Sequence, residues 1–421
     1  MKFIIHNLRM IISRIRSNGW VLGELLLVFI VMWYLCDSLG CLKYTFYRPL
    51  GYNIEHVYQL TTSTGGTSAD TTLLDAAKRI TIANRLKQIE NVEAVSLCYW
   101  SLPMCGNNSY SQLNISDSIG VNVRYIRCTD DFMKVFRFAE DPARPFAQIP
   151  VNGLSMMLSQ GSYDYLKKKD PSFSLDTPLG YAGNDDFPMK VYGVIGNFRT
   201  YRYGADANWY FERIDDNSML NGKHQDWGAS IVFRVKSEAD SPNYRQSFLE
   251  KIAPLLDTDN MFVIDVIPYT QQQEEFEVLN GDTDRVNTHT VVVLFLLINV
   301  FLGLVGTFWF RTRRRRSEIA LRLSVGSSRK QIRNLLIGEG LILLTLASIP
   351  AAIVCYNVAI AEPSLGNSPL ISLWPVEWSG IRFLLGALGA WLLIALMVII
   401  GIWFPAQQAM HIQPAEALRE E

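Results

Sequence analysis

The sequence predicts an α-helical membrane protein with four transmembrane helices and a large α+β extracytoplasmic (periplasmic) domain inserted between helices 1 and 2. Four apolar stretches carry this prediction, since a helix needs about 20 residues to cross a bilayer. They are Trp20–Cys36, Thr290–Phe310, Leu335–Tyr356 and Phe383–Phe404. About 250 residues separate the first two stretches, enough for a domain with its own hydrophobic core. Hydrophobic residues form 49% of the 421-residue chain, a high fraction for a soluble protein.

The first apolar stretch is interpreted as an uncleaved span rather than a signal peptide. The 19 residues before it contain Lys2, Arg9, Arg14 and Arg16. This leader is long for a cleaved signal, and no A-x-A-like cleavage site is evident. Apolar residues of the leader lie opposite the basic ones at helical spacing. Residues 1–19 are therefore expected to form an amphipathic helix on the inner leaflet.

Basic residues predict the orientation of the spans, because Lys and Arg near membrane ends stay on the cytoplasmic side. The segment Arg311–Arg333 has nine Lys or Arg residues and a single acid, Glu318. The loop between the third and fourth spans, 357–381, has none. Moving each basic side chain through the bilayer costs about 2.5–3.5 kcal/mol. Both termini and the basic loop are therefore predicted to be cytoplasmic.

This orientation divides the chain into predicted segments. They are a cytoplasmic amphipathic helix (1–19), transmembrane helices (20–40, 289–310, 335–356 and 383–404), a periplasmic α+β domain with stalk ends (41–288), a cytoplasmic loop (311–334), a short periplasmic loop (357–382) and a cytoplasmic tail (405–421).

Apolar periodicity within 41–288 predicts a mixture of strands and helices. The predicted strands are Asn53–Leu60, Asn91–Leu97, Val121–Cys128, 191–198, 230–235 and 261–267. The predicted helices are Leu73–Ile89, Asp130–Ala139 and Tyr244–Leu256. Residues 142–189 and 202–228 are rich in turn-forming residues and receive no assignment.

No constellation of residues indicates an enzyme active site or a metal site. The five histidines lie outside metal-ligand spacing of one another, and neither H-E-x-x-H nor G-x-S-x-G occurs. The acidic pairs Asp185-Asp186 and Asp215-Asp216 are typical of solvated turns. We therefore expect no catalysis and no cofactor on this chain.

Cys98 and Cys105 flank the loop YWSLPM in the exported region. They are candidates for a disulfide, which an oxidising compartment permits. The spacing alone does not fix the connectivity. The alternative is that both are small buried apolar side chains.

The basic loop is predicted to contain a short amphipathic helix over 318–325. Ile319 and Leu323 share one apolar face, which Val325 extends, and Glu318 can pair with Arg322 one turn later. An ordered apolar face on the cytoplasmic side is what a protein partner would bind.

Gly326 suits the position just past a helix end, and Ser327 or Ser328 suits the N-cap of the next helix. The loop is therefore expected to form a surface helix, a tight turn and a second helix that enters the membrane. The alternative is that the loop acts only as a topology signal and a contact for anionic lipid.

Two acids lie inside predicted spans, Glu24 in the first and Glu339 in the third. A charge in a span is a functional residue by default, but both lie near the cytoplasmic end, where anchoring is an equal explanation. Gly386 and Ala390 form a small-xxx-small pair in the fourth span. This pair suits either a dimer interface or an internal contact.

The segment EIALRLSVGSSRKQIRNLLIGEGLIL resembles the signature that follows the second span in FtsX/MacB-type ABC transporter permeases. The matching positions are Glu318, Ile319, Leu321, Arg322, Gly326, Ile332 and Glu339. The tail PAQQAMHIQPAEALR is similar to the closing pattern of the same family. Its matching positions are Pro405, Ala406, Ala409, Pro414, Ala417, Leu418 and Arg419.

The resemblance implies a permease subunit without its own ATPase, because no G-x-x-x-x-G-K-[ST] motif occurs. A separate cytoplasmic ABC ATPase, which binds Mg-ATP, is expected to dock on the basic loop and to move the periplasmic domain through the spans. Leu323 belongs to the expected docking surface. Further expected partners are a second permease copy or a paralogue, a periplasmic adaptor and membrane lipid, with no nucleic acid.

The implied process is efflux, or the handling of lipoproteins or other envelope molecules, at a bacterial inner membrane. The middle of the exported region matches no pattern that names a substrate. The alternative function is a membrane-anchored sensor whose external domain binds a ligand and signals through a cytoplasmic partner.

Overall fold

The computed structural model describes residues 15–64, 72–105, 109–116, 118–181, 184–220, 229–361, 376 and 378–409. The chain forms two compact units, a helical unit (Met1–Tyr47 with Asp284–Glu421) and a β-rich unit (Arg48–Thr283). Most of the predicted amphipathic helix at 1–19, and most of the predicted tail, lie outside the described residues.

The elements alternate between helices and strands in the β-rich unit, and only helices follow it. In chain order the first are α1 (Ile15–Tyr47), β1 (Val57–Thr64), α2 (Thr72–Lys87), β2 (Val92–Trp100), β3 (Tyr110–Ser116), β4 (Ile119–Cys128) and α3 (Phe132–Phe136). Next come β5 (Ser155–Ser159), α4 (Gln160–Lys169), β6 (Leu179–Tyr181), β7 (Asn184–Ile195), β8 (Trp209–Arg213), α5 (Asp216–Leu220) and β9 (Ser230–Val235). The last are α6 (Tyr244–Lys251), α7 (Ala253–Leu256), β10 (Met261–Pro268), α8 (Tyr269–Leu279), α9 (Asp282–Arg314), α10 (Arg316–Ser324), α11 (Arg329–Ala361) and α12 (Gly380–Ala409).

Four helices, α1, α9, α11 and α12, are each long and apolar enough to cross a membrane. Side chains from all four helices form one apolar core, including Leu25, Phe29, Leu304, Phe308, Leu343, Leu344, Ala347, Ile394 and Val398. Gly340 allows α11 to approach α12 closely, since a Cβ at this position would lie 2.8 Å from side-chain carbons of Val398 and Ile402.

The small-residue pair of the last span lies inside the helical unit. Gly386 faces Trp33 of α1, and a Cβ at this glycine would lie 3.3 Å from the indole nitrogen. Ala390 is fully buried. Of the two explanations for this pair, the structure supports the internal contact.

The β-rich unit is built on one sheet of ten strands, in the order β10-β1-β9-β2-β4-β3-β6-β7-β5-β8. Strand β8 pairs back to β4 in parallel. The six strands β4-β3-β6-β7-β5-β8, in sheet order, therefore close into a small barrel. Its interior is apolar and contains Leu113, Val121, Val123, Met156, Leu158, Leu179, Val191 and Tyr210. The remaining strands form an open sheet, with α2, α6 and α7 packed on one face around a second core.

The predicted strands and helices of this unit are confirmed, with shifted ends. The helix predicted at Asp130–Ala139 is shorter than expected, because Arg137 adopts a left-handed conformation (φ 51°) and α3 ends at Phe136. The helix predicted at Tyr244–Leu256 is in fact two helices, since Pro254 near the start of α7 cannot continue α6.

The barrel strands β3, β5, β6 and β8 were not predicted from the sequence. Strand β5 is buried at all of its positions, and β8 at all but one. A strand that is buried on both faces has no alternation of apolar and polar residues. The period of two that identifies a strand in a sequence is therefore missing from β5 and β8.

Arg234 is a buried residue that fixes the first residues of the β-rich unit. It lies on β9 and is fully buried. Its guanidinium donates to the carbonyls of Val135 (2.7 Å), Glu55 (2.8 Å) and Asn53 (2.8 Å). Burial lowers the pKa of Arg234 to about 10, so the side chain is still protonated at neutral pH. The strand predicted at Asn53–Leu60 starts only at Val57, because this arginine binds the carbonyls before it.

Of the two alternatives for Cys98 and Cys105, the structure has the free thiols and no disulfide between them. Cys98 is buried in β2 and lies directly across the strand ladder from Cys128. Its sulfur donates to the carbonyl of Ser230 at 3.4 Å. Burial raises the pKa of the Cys98 and Cys128 thiols well above their ordinary value.

Replacing Arg234 by methionine is expected to lower the free energy of unfolding by about 3 kcal/mol or more. Each buried carbonyl that loses its donor costs about 1–3 kcal/mol. The matched control is Arg245→Met, which removes an ion pair to Asp265 with partners 44% and 25% exposed, and is expected to cost less than about 1 kcal/mol. Urea unfolding followed by circular dichroism measures both. Equal losses would contradict the role of Arg234.

Cys98 and Cys128 are expected to resist a maleimide in the native protein at neutral pH and to react after denaturation. The thiolate is the reacting form, and burial disfavours it at both positions. Mass spectrometry of the digested protein reports the modification of each cysteine. Modification in the native state would refute this expectation. A peptide pair lighter by two hydrogens would show that a disulfide forms after all.

Candidate functional site

The basic loop forms a short helix, a turn and a second helix, as predicted. Helix α10 ends at Ser324 with Val325 as its C-cap, and Gly326 has φ +95°. The amide of Gly326 donates to the carbonyl of Leu323 (3.1 Å) and that of Ser327 to Arg322 (3.0 Å). This is a Schellman motif, which requires a residue that tolerates positive φ.

A capping box starts the second helix of the loop. The Oγ of Ser328 accepts from the amide of Gln331 at 3.3 Å, and the Oε1 of Gln331 accepts from the amide of Ser328 at 3.0 Å. This reciprocal pair satisfies two amides at the start of α11. The direction in which the chain returns toward the membrane is therefore fixed by local hydrogen bonds.

The apolar residues of α10 face two directions. Ile319 is 2% exposed and, with Ile332 of α11 at 3%, belongs to the core of the helical unit. Leu321 is 55% exposed and Val325 is 81% exposed. Leu323 is half-buried and packs against the same core. The expected apolar face is therefore corrected: Ile319 holds the helix in place, while Leu321 and Val325 form the free apolar edge.

Glu339 connects three parts of the helical unit. Its Oε1 accepts from Arg311 near the end of α9 at 2.7 Å, and its Oε2 accepts from Arg315, just before α10, at 2.6 Å. All three side chains are less than one fifth exposed. An acid within a membrane-length helix is thus neutralised by two basic residues of the segment that the sequence predicts to be cytoplasmic.

Glu318 and Arg322 form the ion pair expected along α10, with a distance of 2.8 Å. Both side chains are about one third exposed. Together with Arg315, Glu339 and apolar residues of α11, they line a small cleft between the two helices.

The other intramembrane acid, Glu24, faces α9. The hydroxyl of Thr307 donates to its two carboxylate oxygens at 2.8 Å and 3.1 Å. This contact joins α1 to α9 at the level where α9 approaches its basic end. Glu24 and Glu339 have different partners and do not form one site.

Two charged contacts of the helical unit were not predicted from the sequence. Arg333 of α11 stacks on Trp403 of α12, with the guanidinium carbon 4.0 Å from the ring centroid. Near the start of α12, Arg382 donates to both carboxylate oxygens of Asp37 in α1, at 2.8 Å and 2.6 Å. The only sequence signal for either contact was the position of these residues at the ends of apolar stretches.

The C-terminal motif is described only in part. Pro405, Ala406 and Ala409 belong to α12, and Ala406 is fully buried. Pro414, Ala417, Leu418 and Arg419 lie outside the described residues. Within the part of the chain that the structure describes, no group of three His, Cys, Asp or Glu residues could hold a metal ion.

Comparison with known families matches the region that contains this site. Residues 290–414 match the model of the FtsX-like permease C-terminal family. The macrolide export ATP-binding/permease protein MacB 2 of Yersinia pestis bv. Antiqua (strain Antiqua) is 25% identical over 255 residues. That match covers 58% of this chain but 34% of the relative, so the chain spans about a third of that protein's length.

Solved structures show similarity at low identity. The periplasmic region of MacB from Actinobacillus actinomycetemcomitans is 13% identical, with a TM-score of 0.34, and the match covers 55% of this chain and 96% of that one. The extracellular domain of the noncanonic ABC-type transporter YknZ from Gram-positive bacteria is also 13% identical, with a TM-score of 0.30, and the match covers 49% and 100%. The family match over 290–414, the sequence relatives and the four membrane-length helices support an FtsX/MacB-type permease.

Proposed function

We propose that this permease converts ATP hydrolysis by a separate cytoplasmic ABC ATPase into movement of the β-rich unit. The observation that carries the proposal is the free apolar edge of α10, formed by Leu321 and Val325. Apolar side chains that remain exposed on an ordered helix indicate a surface for a protein partner. The Arg residues around this edge are expected to contact anionic lipid at the same time.

The base of α10 is suited to transmit force. Ile319 and Ala320 are buried in the helical unit, and the carboxylate of Glu339 binds Arg315 immediately before the helix. A push on the exposed edge therefore acts on α9 and α11 together. A flexible loop, attached only at its two ends, would deform under the same force without moving the helices.

The length of two helices supports transmission across the membrane. Helices α1 and α9 each have 33 residues, which gives about 50 Å at 1.5 Å per residue. The hydrocarbon core of a bilayer is about 30 Å thick. The remaining length extends beyond it, and these two helices are the ones that precede and follow the β-rich unit in the chain.

The orientation in this proposal places both termini and α10 in the cytoplasm of a bacterium and the β-rich unit in the periplasm. The partner ATPase holds Mg-ATP, and a second permease, identical or a paralogue, completes a two-fold assembly. A periplasmic adaptor is a further partner. The cargo belongs to efflux or to the handling of lipoproteins and other envelope molecules.

Changing Leu321 and Val325 together to aspartate is expected to lower capture of the ATPase by about tenfold or more. An apolar residue at the centre of an interface contributes about 1–2 kcal/mol, and about 1.4 kcal/mol corresponds to tenfold in affinity. The measurement is co-purification of the ABC ATPase encoded nearest to this gene, at equal membrane expression of both permeases.

The matched control for this experiment is Leu279→Asp, which changes a leucine of the β-rich unit that is 86% exposed. This variant is expected to capture the ATPase as the wild type does. Equal capture by all three proteins would place the docking surface elsewhere. Failure of the wild type to capture any ATPase would favour the sensor function instead.

Glu339→Gln is expected to destabilise the helical unit by about 3–5 kcal/mol, because it leaves two largely buried arginines without their carboxylate. Glu318→Gln is the control, since it removes a partly exposed i,i+4 pair whose contribution is about 0.5 kcal/mol. Thermal unfolding of the detergent-purified protein compares the two variants. If both melt at the temperature of the wild type, the Glu339 contacts do not hold the unit together.

A further inference from the structure

A hairpin between β7 and β8 extends from the barrel. Its two arms are Phe198–Arg199 and Asp206–Ala207. The amide of Ala207 donates to the carbonyl of Phe198 at 2.9 Å, and Arg199 and Asp206 form a bridge. The amide of Gly204 closes the tip by donating to Tyr201 at 3.0 Å. We refer to Phe198–Ala207 as the joint hairpin.

The joint hairpin binds the segment through which the chain enters the β-rich unit. The amide of Arg199 donates to the carbonyl of Leu50 at 2.8 Å, and its buried guanidinium donates to the carbonyl of Arg48. The hydroxyl of Tyr52 donates to the carbonyl of Thr200 at 3.1 Å. Each of these hydrogen bonds has a backbone carbonyl as its acceptor, and the side chains of Arg199 and Tyr52 are buried.

Gly51 makes this contact even closer. It has φ +85°, and a Cβ at this position would lie 2.2 Å from the carbonyl oxygen of Asn197, just before the hairpin. Only glycine fits, so the incoming chain and the base of the hairpin touch backbone to backbone. Arg48 also forms an ion pair with Asp206. The incoming segment is therefore firmly attached to the hairpin.

The tip of the same hairpin contacts the helix through which the chain leaves the unit. Arg202 lies 3.5 Å from Glu277 of α8, and the ring of Tyr201 lies 5.5 Å from that of Phe276. The Arg202 side chain is one third exposed. These side-chain contacts are longer than the backbone hydrogen bonds that hold the incoming segment, so this attachment yields more readily than the first.

The hairpin is also attached to the barrel. Its arms continue directly into β7 and β8, which are barrel strands. The indole of the fully buried Trp209 donates to the hydroxyl of Thr200 at 3.1 Å. A displacement of the hairpin therefore moves the barrel wall rather than a free loop.

We propose that the joint hairpin converts a displacement of the outgoing helix α8 relative to the incoming segment Arg48–Tyr52 into movement of the barrel. The contact with Arg48–Tyr52 is the fixed attachment, and the Arg202–Glu277 contact is the one that α8 moves. The unit begins at Arg48 and ends at Thr283, so a force carried along the chain enters only through these two segments. Because the same ten residues contact both, a shift of α8 against the incoming chain acts on the hairpin tip. This inference rests on the proposed transmission of ATP-driven movement.

The test follows the distance between the barrel and the open sheet in the full-length permease with its ATPase in nanodiscs. A fluorescent amino acid pair is placed at Tyr165 of α4 and Leu255 of α7, which are 41% and 64% exposed. Energy transfer is recorded with and without Mg-ATP. The variants are Arg202→Glu, and Arg202→Glu combined with Glu277→Arg.

We expect Arg202→Glu to lose most of the ATP-dependent change in energy transfer and the double reversal to restore it, with the melting temperature unchanged. The matched control is Arg137→Glu, which reverses one charge of an exposed pair with Glu93 in the same unit. This control is expected to respond as the wild type does.

Three results would overturn the inference about the hairpin. They are a full response in Arg202→Glu, a loss that the double reversal does not restore, and an equal loss in Arg137→Glu. A wild type that binds and hydrolyses ATP with its partner yet shows no change in energy transfer would instead refute the proposed transmission itself.

Discussion

The ion contacts of Glu339 are the interaction on which the α10 end of the helical unit depends. One carboxylate binds Arg311 at the end of α9 and Arg315 before α10, so two helix ends and the first turns of α11 meet at a single group. Loss of one partner leaves a charge without compensation in a largely buried place, and this makes the contact all-or-none. The exposed edge of α10 is thereby held on a fixed base.

Buried arginines perform a comparable task in the β-rich unit, although their acceptors are mainly backbone carbonyls. The segment Arg48–Glu55 lies outside the helices and strands, yet Arg199 binds its first part and Arg234 its last. A guanidinium has five donors in a planar fork, and it can therefore replace the ladder of hydrogen bonds that an irregular segment lacks. This explains how a chain without regular structure can still act as a fixed attachment.

Much of the site was predictable because its determinants are local. The Schellman turn at Gly326 and the cap at Ser328 depend on residues three to five positions apart, and both were found from the sequence. The direction of the apolar residues was predicted less well. Ile319 and Leu323 share a face by helical spacing, but the spacing does not tell which face α11 covers. Leu321, whose direction the family pattern did not indicate, is left exposed together with Val325.

The sequence by itself determined the four membrane-length helices, the position of the basic loop and the mixed character of the β-rich unit. These features follow from composition, charge and periodicity within short windows. Only the tertiary structure decided the partners of Glu339 and Asp37, the closure of the barrel by β4 and β8, and the two-sided contacts of the joint hairpin. Each of these joins residues that are distant in the chain, and their pairing depends on how the elements pack, which leaves no local pattern in the sequence.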